Sequence, residues 1–198
     1  MPTALVILAA GASTRLGQPK QLVVFRGKTL LLHAVETALD VPGGRVAVVL
    51  GKDTERFREE LQGLNVTILE NETWTEGMAS SVRMAANWAN EMGAENLLLL
   101  VCDQPFVTPP LLNQLLDQQQ KTGQPIVASG YENAAGTAVR GVPVVFHRTL
   151  FPELLQLKGD RGAQALLRAH PEAVAVVDFP EGRFDLDTPE ELAWLHRL

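Results

Sequence analysis

One cysteine, no excess of basic charge and no long uninterrupted apolar run mark this 198-residue chain, and each removes a class of function. The lone Cys102 excludes an internal disulfide. With no signal peptide and no apolar segment of membrane-spanning length, the expectation is a cytoplasmic protein without a membrane partner. A formal net charge of −6 argues against a nucleic-acid partner, which calls for a basic face over phosphates. Any phosphate site here must be local. Familiar signatures are missing too. There is no G-x-G-x-x-G, and the second strand pattern ends in Gly51-Lys52 rather than in an acid that would hold a ribose. Ser80-Ser81 lacks the G-x-S-x-G frame of a nucleophile elbow. Gly27-Lys28-Thr29 mimics the end of a P-loop, but Leu22 stands where its first glycine belongs, so it reads as a turn ahead of a helix. His33, His147, His170 and His196 show no metal-ligand spacing, which leaves them surface or packing roles.

What is present is a regular alternation of short apolar runs with amphipathic segments, the pattern of βαβ units wound into a mostly parallel sheet. Composition, 46% hydrophobic and 20% charged, suits one α/β domain over residues 1–198. Strands are predicted at Thr3 to Leu8, Arg45 to Leu50, Val66 to Glu70, Leu97 to Val101, Ile126 to Ser129, Val142 to His147 and Ala173 to Asp178. Helices are predicted at Leu30 to Leu39, Glu55 to Leu61, Ala79 to Met92, Pro109 to Gln120, Ala163 to His170 and Pro189 to Arg197. Thr108-Pro109 reads as an N-cap with a first-turn proline, and Thr188-Pro189-Glu190-Glu191 as a capping box that fixes Asp187 just outside a helix N-terminus. Gly51 reads as a strand-to-helix turn that needs positive φ.

Asp103 is the most informative residue. It follows Leu97-Leu98-Leu99-Leu100-Val101, so a carboxylate stands at the carboxyl end of a buried strand, the edge where open α/β sheets bind ligands. Cys102 points to the opposite face and reads as a buried thiol. After the first strand, Leu8, Ala9, Ala10 and Gly11 lead into a loop with Arg15, Gly17 and Lys20. Small residues let backbone approach a base or phosphate, and the two cations can reach a triphosphate. Asp187 is expected at the same edge as Asp103, with Asp185 a competitor of equal strand parity. Two carboxylates there, together with substrate phosphates, suit Mg2+. Ser80 and Ser81, in GMASSVR, either bond a base edge or ribose or cap their helix. In GDRGA, Asp160 and Gly162 either receive a negatively charged substrate with help from Arg161, or form a plain N-cap.

Six motifs in order, LAAGASTRLGQPKQL at Leu8, GMASSVR at Gly77, CDQP at Cys102, GVPVVF at Gly141, LKGDRGAQALL at Leu157 and DLDTPEEL at Asp185, resemble the MobA-like nucleotidyltransferases of molybdenum cofactor maturation, most closely the cytidylyltransferase branch. The resemblance covers essentially the whole chain. It implies a three-layer α/β/α, glycosyltransferase-A-like (Rossmann-like) nucleotide-diphospho-sugar transferase fold. It also implies that Leu8, Ala9, Ala10 and Gly11 cradle base and ribose, with Arg15 and Lys20 on the triphosphate and Asp103 and Asp187 on Mg2+. The acceptor would lie by Gly141, Pro143, Asp160 and Gly162. LAAG resembles the cytidylyl enzymes, whereas guanylyl relatives usually carry LAGG. Those cytidylyltransferases commonly have Gly-His-Pro where Gly141-Val142-Pro143 stands.

The activity so implied is attack by the terminal phosphate of a pterin cofactor on the α-phosphorus of CTP, with a molybdoenzyme receiving the product. Catalysis then rests on positioning and charge, carried by Lys20, Arg15 and Asp103. Transfer of another nucleotide to a sugar or alcohol phosphate, a non-catalytic cofactor carrier and a nucleotide-sensing module are the alternatives.

Overall fold

The computed structural model describes residues 2–13, 15–133, 135–195 and 197. Thr14 of the first-strand loop and His196 lie outside the described residues. Seven strands form one sheet in the order β5 (Thr67–Glu70), β4 (Gly44–Leu50), β1 (Thr3–Leu8), β6 (Asn96–Val101), β8 (Ala138–His147), β7 (Ile126–Glu132), β9 (Val174–Asp178). All neighbours pair in parallel except at β8, which runs antiparallel to both β6 and β7. A separate hairpin joins β2 (Val24–Phe25) to β3 (Lys28–Thr29).

The apolar runs are continuous because both sheet faces are covered. Strand alternation deals their residues to two cores: Ala4, Val6, Leu8, Leu97 and Leu99 face one, and Leu5, Ile7, Leu98, Leu100 and Cys102 the other. The first core is closed by α3 (Met78–Glu91), α5 (Phe151–Leu154) and α6 (Gln164–Ala169), the second by α1 (Leu30–Leu39), α2 (Thr54–Glu60) and α4 (Pro109–Thr122). Helix α3 presents Ala79, Ala85, Ala86 and Ala89, small enough for close approach to the sheet. No described helix is long and apolar enough to cross a membrane.

Several boundaries differ from the sequence reading. The β7–β8 hairpin extends through Glu132 and back from Ala138, where Gly, Tyr, Glu and Arg break the apolar pattern. The two-residue strands β2 and β3 and the short α5 carry no period long enough to detect. Thr108 stands in the extended geometry of an N-cap but makes no side-chain capping bond, leaving Pro109 to start α4 alone. Asp160 is not an N-cap, because α6 begins at Gln164. Gly27, at φ 81°, makes the expected turn, and Thr29 caps α1 by accepting from the Leu32 amide at 3.2 Å. In the last helix, α7 (Pro189–Leu195), the capping box forms. The Thr188 N–H donates to Glu191 at 2.8 Å, and the Glu191 N–H donates to Thr188 Oγ1 at 3.3 Å.

Candidate active site

The loop after β1 is shaped from within by a residue the sequence reading passed over. Gln21 is buried, and its amide donates to the carbonyls of Ala9 at 2.8 Å and Gly11 at 2.9 Å. The Lys20 backbone N–H donates to Ser13 Oγ at 3.1 Å. These bonds fold the loop back on itself and set where Lys20 begins. Ala9 and Ala10 are buried beneath it, while Gly11 is exposed along a cavity of about 430 Å³ with Gly17, Lys52 and Asp53. Gly51 packs beneath the Ala10 carbonyl and Trp74 without positive φ. A Cβ there would lie 2.7 Å from the Ala10 carbonyl oxygen and 2.9 Å from Trp74 Cβ, so close packing, not turn geometry, demands glycine.

Asp103 and Asp187, the two carboxylates expected at one sheet edge, do stand together, and Lys20 and Arg15 of the first loop lie on them. The Lys20 ammonium donates to Asp103 Oδ2 and, at 2.9 Å, to Asp187 Oδ1, while Arg15 donates to Asp187 Oδ2 at 2.7 Å. Backbone joins the two carboxylate segments, since the Leu186 N–H donates to the Asp103 carbonyl at 3.0 Å. The α7 capping carboxylate of Glu191 also accepts from the Asp187 N–H at 2.8 Å, so the helix start holds Asp187 in place. The Lys20 side chain is only 17% exposed and that of Asp103 15%, against 73% for Arg15. The inner pair is therefore shielded, whereas the Arg15 pair is screened by water and contributes little to stability.

Burial opposes the charge on Lys20, but the Asp103 and Asp187 carboxylates outweigh it and hold its pKa above the ordinary lysine range. Burial also opposes the charge on Asp187, and the Lys20 and Arg15 bonds reverse that, leaving its carboxyl below the usual value. Asp185 keeps an exposed surface, yet shelter in the cleft and the adjacent Asp103 charge push its carboxyl up to about 6. Burial pushes the Cys102 thiol up to about 12, with Asp103 adding to the effect.

The Ser80 and Ser81 hydroxyls are turned inward. Buried Asn71 donates to both, at 2.8 and 3.0 Å, and Ser80 Oγ donates to the Gly77 carbonyl at 2.9 Å. Asn71 Oδ1 in turn accepts from the backbone N–H and the hydroxyl of Thr73, each at 3.0 Å. Arg83 locks the same corner by bonding Glu76 and, at 2.8 Å, the Leu157 carbonyl. Gly77, at φ 111°, lets the start of α3 lie against Gly159 and Asp160, where a Cβ would collide with the Asp160 carboxylate. The Ala79 N–H donates to the Gly159 carbonyl at 3.0 Å.

Between these elements lies a cavity of about 350 Å³ bordered by Leu8, Asp103, Gln104, Tyr131, Gly141, Val142, Asp160, Gly162, Asp185 and Asp187. Pro143 stands behind that wall, buried, with its carbonyl accepting from Ser129 Oγ at 2.8 Å. A larger hollow of about 530 Å³ also has Tyr131 in its wall, and neither Lys20 nor Asp103 lines it. Gln104 and Tyr131 also line the smaller cavity; Gln104 belongs to the CDQP motif, where Asp103 draws the attention, and a strand tyrosine carries no motif.

No group of three or more His, Cys, Asp or Glu that could hold a metal occurs among the described residues. A divalent cation here would therefore have the two carboxylates and ligand oxygens, the usual habit of Mg2+. The donor set fits: Asp103 Oδ1 is buried with no hydrogen-bond partner.

A family model described as the MobA-like NTP transferase domain matches residues 5–174. Nicotine blue oxidoreductase of Paenarthrobacter nicotinovorans is 32% identical over 195 residues, covering 94% of this chain and 93% of its own. Purine catabolism protein PucB of Bacillus subtilis (strain 168) is 31% identical over 207 residues, covering 97% and 95%. Among solved structures, Rv0371c from Mycobacterium tuberculosis H37Rv superposes with a TM-score of 0.82 at 29% identity, covering 100% of this chain and 98% of that one. A manganese complex of Rv0371c superposes at 0.76 with 28% identity, again covering 100% and 98%.

Proposed function

Because this chain belongs to the MobA-like NTP transferase family and is a nucleotidyltransferase, we propose that it transfers CMP from CTP to the terminal phosphate of a molybdenum-pterin cofactor, releasing pyrophosphate. The observation that carries this reading is the meeting of Lys20, Arg15, Asp103 and Asp187 at one sheet edge, between the Gly11 loop and the cavity at Gly141. The LAAG form at Leu8 favours CTP. The order of motifs favours a molybdopterin acceptor, and a molybdoenzyme would then take up the product.

In this scheme a terminal phosphate oxygen of the acceptor forms a bond to the α-phosphorus as the bond from that phosphorus to the pyrophosphate oxygen breaks. No protein nucleophile takes part. Backbone of Leu8, Ala9, Ala10 and Gly11 receives base and ribose, and Arg15 and Lys20 face the β- and γ-phosphates. Lys20, held protonated by its carboxylate neighbours, supplies fixed positive charge for the leaving pyrophosphate rather than a proton. Asp103 and Asp187 would hold Mg2+, which supplies neutralisation of phosphate charge when bound. Ser80 and Ser81 act through Asn71 by fixing the start of α3, and Gly141, Asp160 and Gly162, backed by Pro143, border the acceptor.

The test is incubation of the protein with α-labelled CTP, Mg2+ and molybdopterin, with GTP and with sugar or alcohol phosphates as parallel arms. A labelled cytidylyl-pterin product with equimolar pyrophosphate is the expected result. Transfer only to a sugar or alcohol phosphate would replace the acceptor, and pterin binding without pyrophosphate would replace the enzyme with a carrier. The relative named Nicotine blue oxidoreductase, 32% identical, favours redox chemistry as a second reading, and turnover of nicotine blue instead of CMP transfer would support it.

A further inference from the structure

The Lys20 ammonium occupies the place where two carboxylates converge, donating to Asp103 Oδ2 and Asp187 Oδ1 together. The spacing of the backbones that carry those carboxylates is also held without Lys20. The Leu186-to-Asp103 backbone bond and the Glu191 cap on Asp187 hold it from the other side. Lys20 itself is anchored at its backbone, by Ser13 and by the Gln21 bonds that follow, so its long side chain can swing while its origin stays put. Charge in the cluster balances: Lys20 and Arg15 contribute +2, Asp103 and Asp187 −2. A dication added alone would leave the cluster at +2, with two cations competing for the same oxygens. A dication that arrives with a triphosphate brings enough negative charge to give Lys20 another partner.

We infer that Lys20 is a built-in stand-in for the divalent metal: it holds Asp103 and Asp187 in the nucleotide-free protein, metal alone must displace it to reach both carboxylates, and nucleotide phosphates lift that competition by drawing the ammonium away. The inference rests on reading Asp103 and Asp187 as the metal's ligands. Its consequence is an order of binding, in which metal alone binds weakly and metal with nucleotide binds as one unit. Lys20 therefore has two positions, one on the carboxylates and one on the phosphates.

The experiment is Mn2+ binding followed by electron paramagnetic resonance, without acceptor, on the wild type and on Lys20→Met, Lys20→Ala and Lys20→Arg. Without nucleotide, Lys20→Met and Lys20→Ala should bind Mn2+ at least about tenfold more tightly than the wild type, as expected when one competing charge leaves a shielded cleft, with Lys20→Arg near the wild type. With CTP present the gap should close or reverse. A second measurement needs no variant. Amine acylation read by mass spectrometry should show Lys20 labelling rise when wild type is saturated with Mn2+ alone, because the ammonium is displaced. Neutral variants that bind Mn2+ no more tightly than the wild type would overturn the inference, as would Mn2+ binding that leaves Lys20 labelling unchanged. Failure of CMP transfer with these Mn2+ results intact would tell against the acceptor reading alone. Absence of Mn2+ binding in every variant, with CTP or without, would overturn this inference and the metal reading together.

Discussion

Replacing Asn71 with alanine should cost about 3 kcal/mol of stability while touching no residue of the charged cluster. The residue is 2% exposed and its side chain makes four hydrogen bonds, two donated to Ser80 and Ser81 and two accepted from Thr73. At a net value of about 1 kcal/mol each, the sum is about 4 kcal/mol. Water can replace part of the Thr73 pair, which lies in a half-buried setting, and that lowers the figure to about 3 kcal/mol. For a chain of this size each kcal/mol shifts Tm by roughly 2–4 °C, so a fall of about 6–12 °C follows. Urea and thermal unfolding of the two proteins side by side measure it. A cycle with Ser81→Ala adds a sharper check. Ser81→Ala alone should cost about 1 kcal/mol, and the double variant should cost less than the sum, because the two groups share a bond. A loss below about 1 kcal/mol for Asn71→Ala, or strict additivity with Ser81→Ala, would refute the buried network as the support of the α3 start.

Three further outcomes follow. Asp103→Asn should retain the fold and lower kcat by about 10²–10³ at saturating CTP, the scale of losing one preorganised electrostatic group; wild-type turnover would remove Asp103 from the machinery. Cys102, with its thiol pushed up to about 12 by burial and by Asp103, should resist a disulfide reagent at pH 8 in the folded protein and react fully in urea; rapid stoichiometric reaction of the native protein would contradict this. Asp185 has a folded pKa of about 6, above its ordinary value of 3.8. The folded state therefore keeps the proton longer than the unfolded chain, and the carboxylate weakens the fold as pH climbs from about 4 to about 6. Asp185→Asn should accordingly gain urea stability relative to wild type across that window and hold the gain at neutral pH. An equal difference at pH 3.5 and pH 7 would show that Asp185 is not responsible.

Much of this architecture can be read from local pattern. Unbroken Leu97–Val101 predicts a strand covered on both faces, and strand alternation alone assigns Cys102 to the core opposite Asp103. The Thr188-to-Glu191 box is a four-residue signal, and it forms. What pattern cannot carry is partnership across the fold. Lys20 and Asp103 are 83 residues apart, and Arg15 and Asp187 are 172 apart. Small residues and cations in the first loop suggest a phosphate site, but nothing local says that Lys20 rests on carboxylates. Ser80 and Ser81 face inward because Asn71, in a polar loop without a period, becomes buried once α3 docks. Gly51 shows the same limit. Its need for glycine comes from Ala10 and Trp74, neither adjacent in sequence.

The cluster joins residues 15 and 20 to residue 187, so its chemistry is divided between segments lying 172 and 167 residues apart in the chain. A stretch ending at Asp178 includes every strand of the sheet but only one of the two carboxylates that Lys20 meets. The second enters with the 186–195 segment, whose Leu186 and Leu195 pack against Leu16, Val23, Phe25 and Leu30 near the start. Competence would then await the docking of the 186–195 segment, and nucleotide binding by this protein would report that this segment is in place.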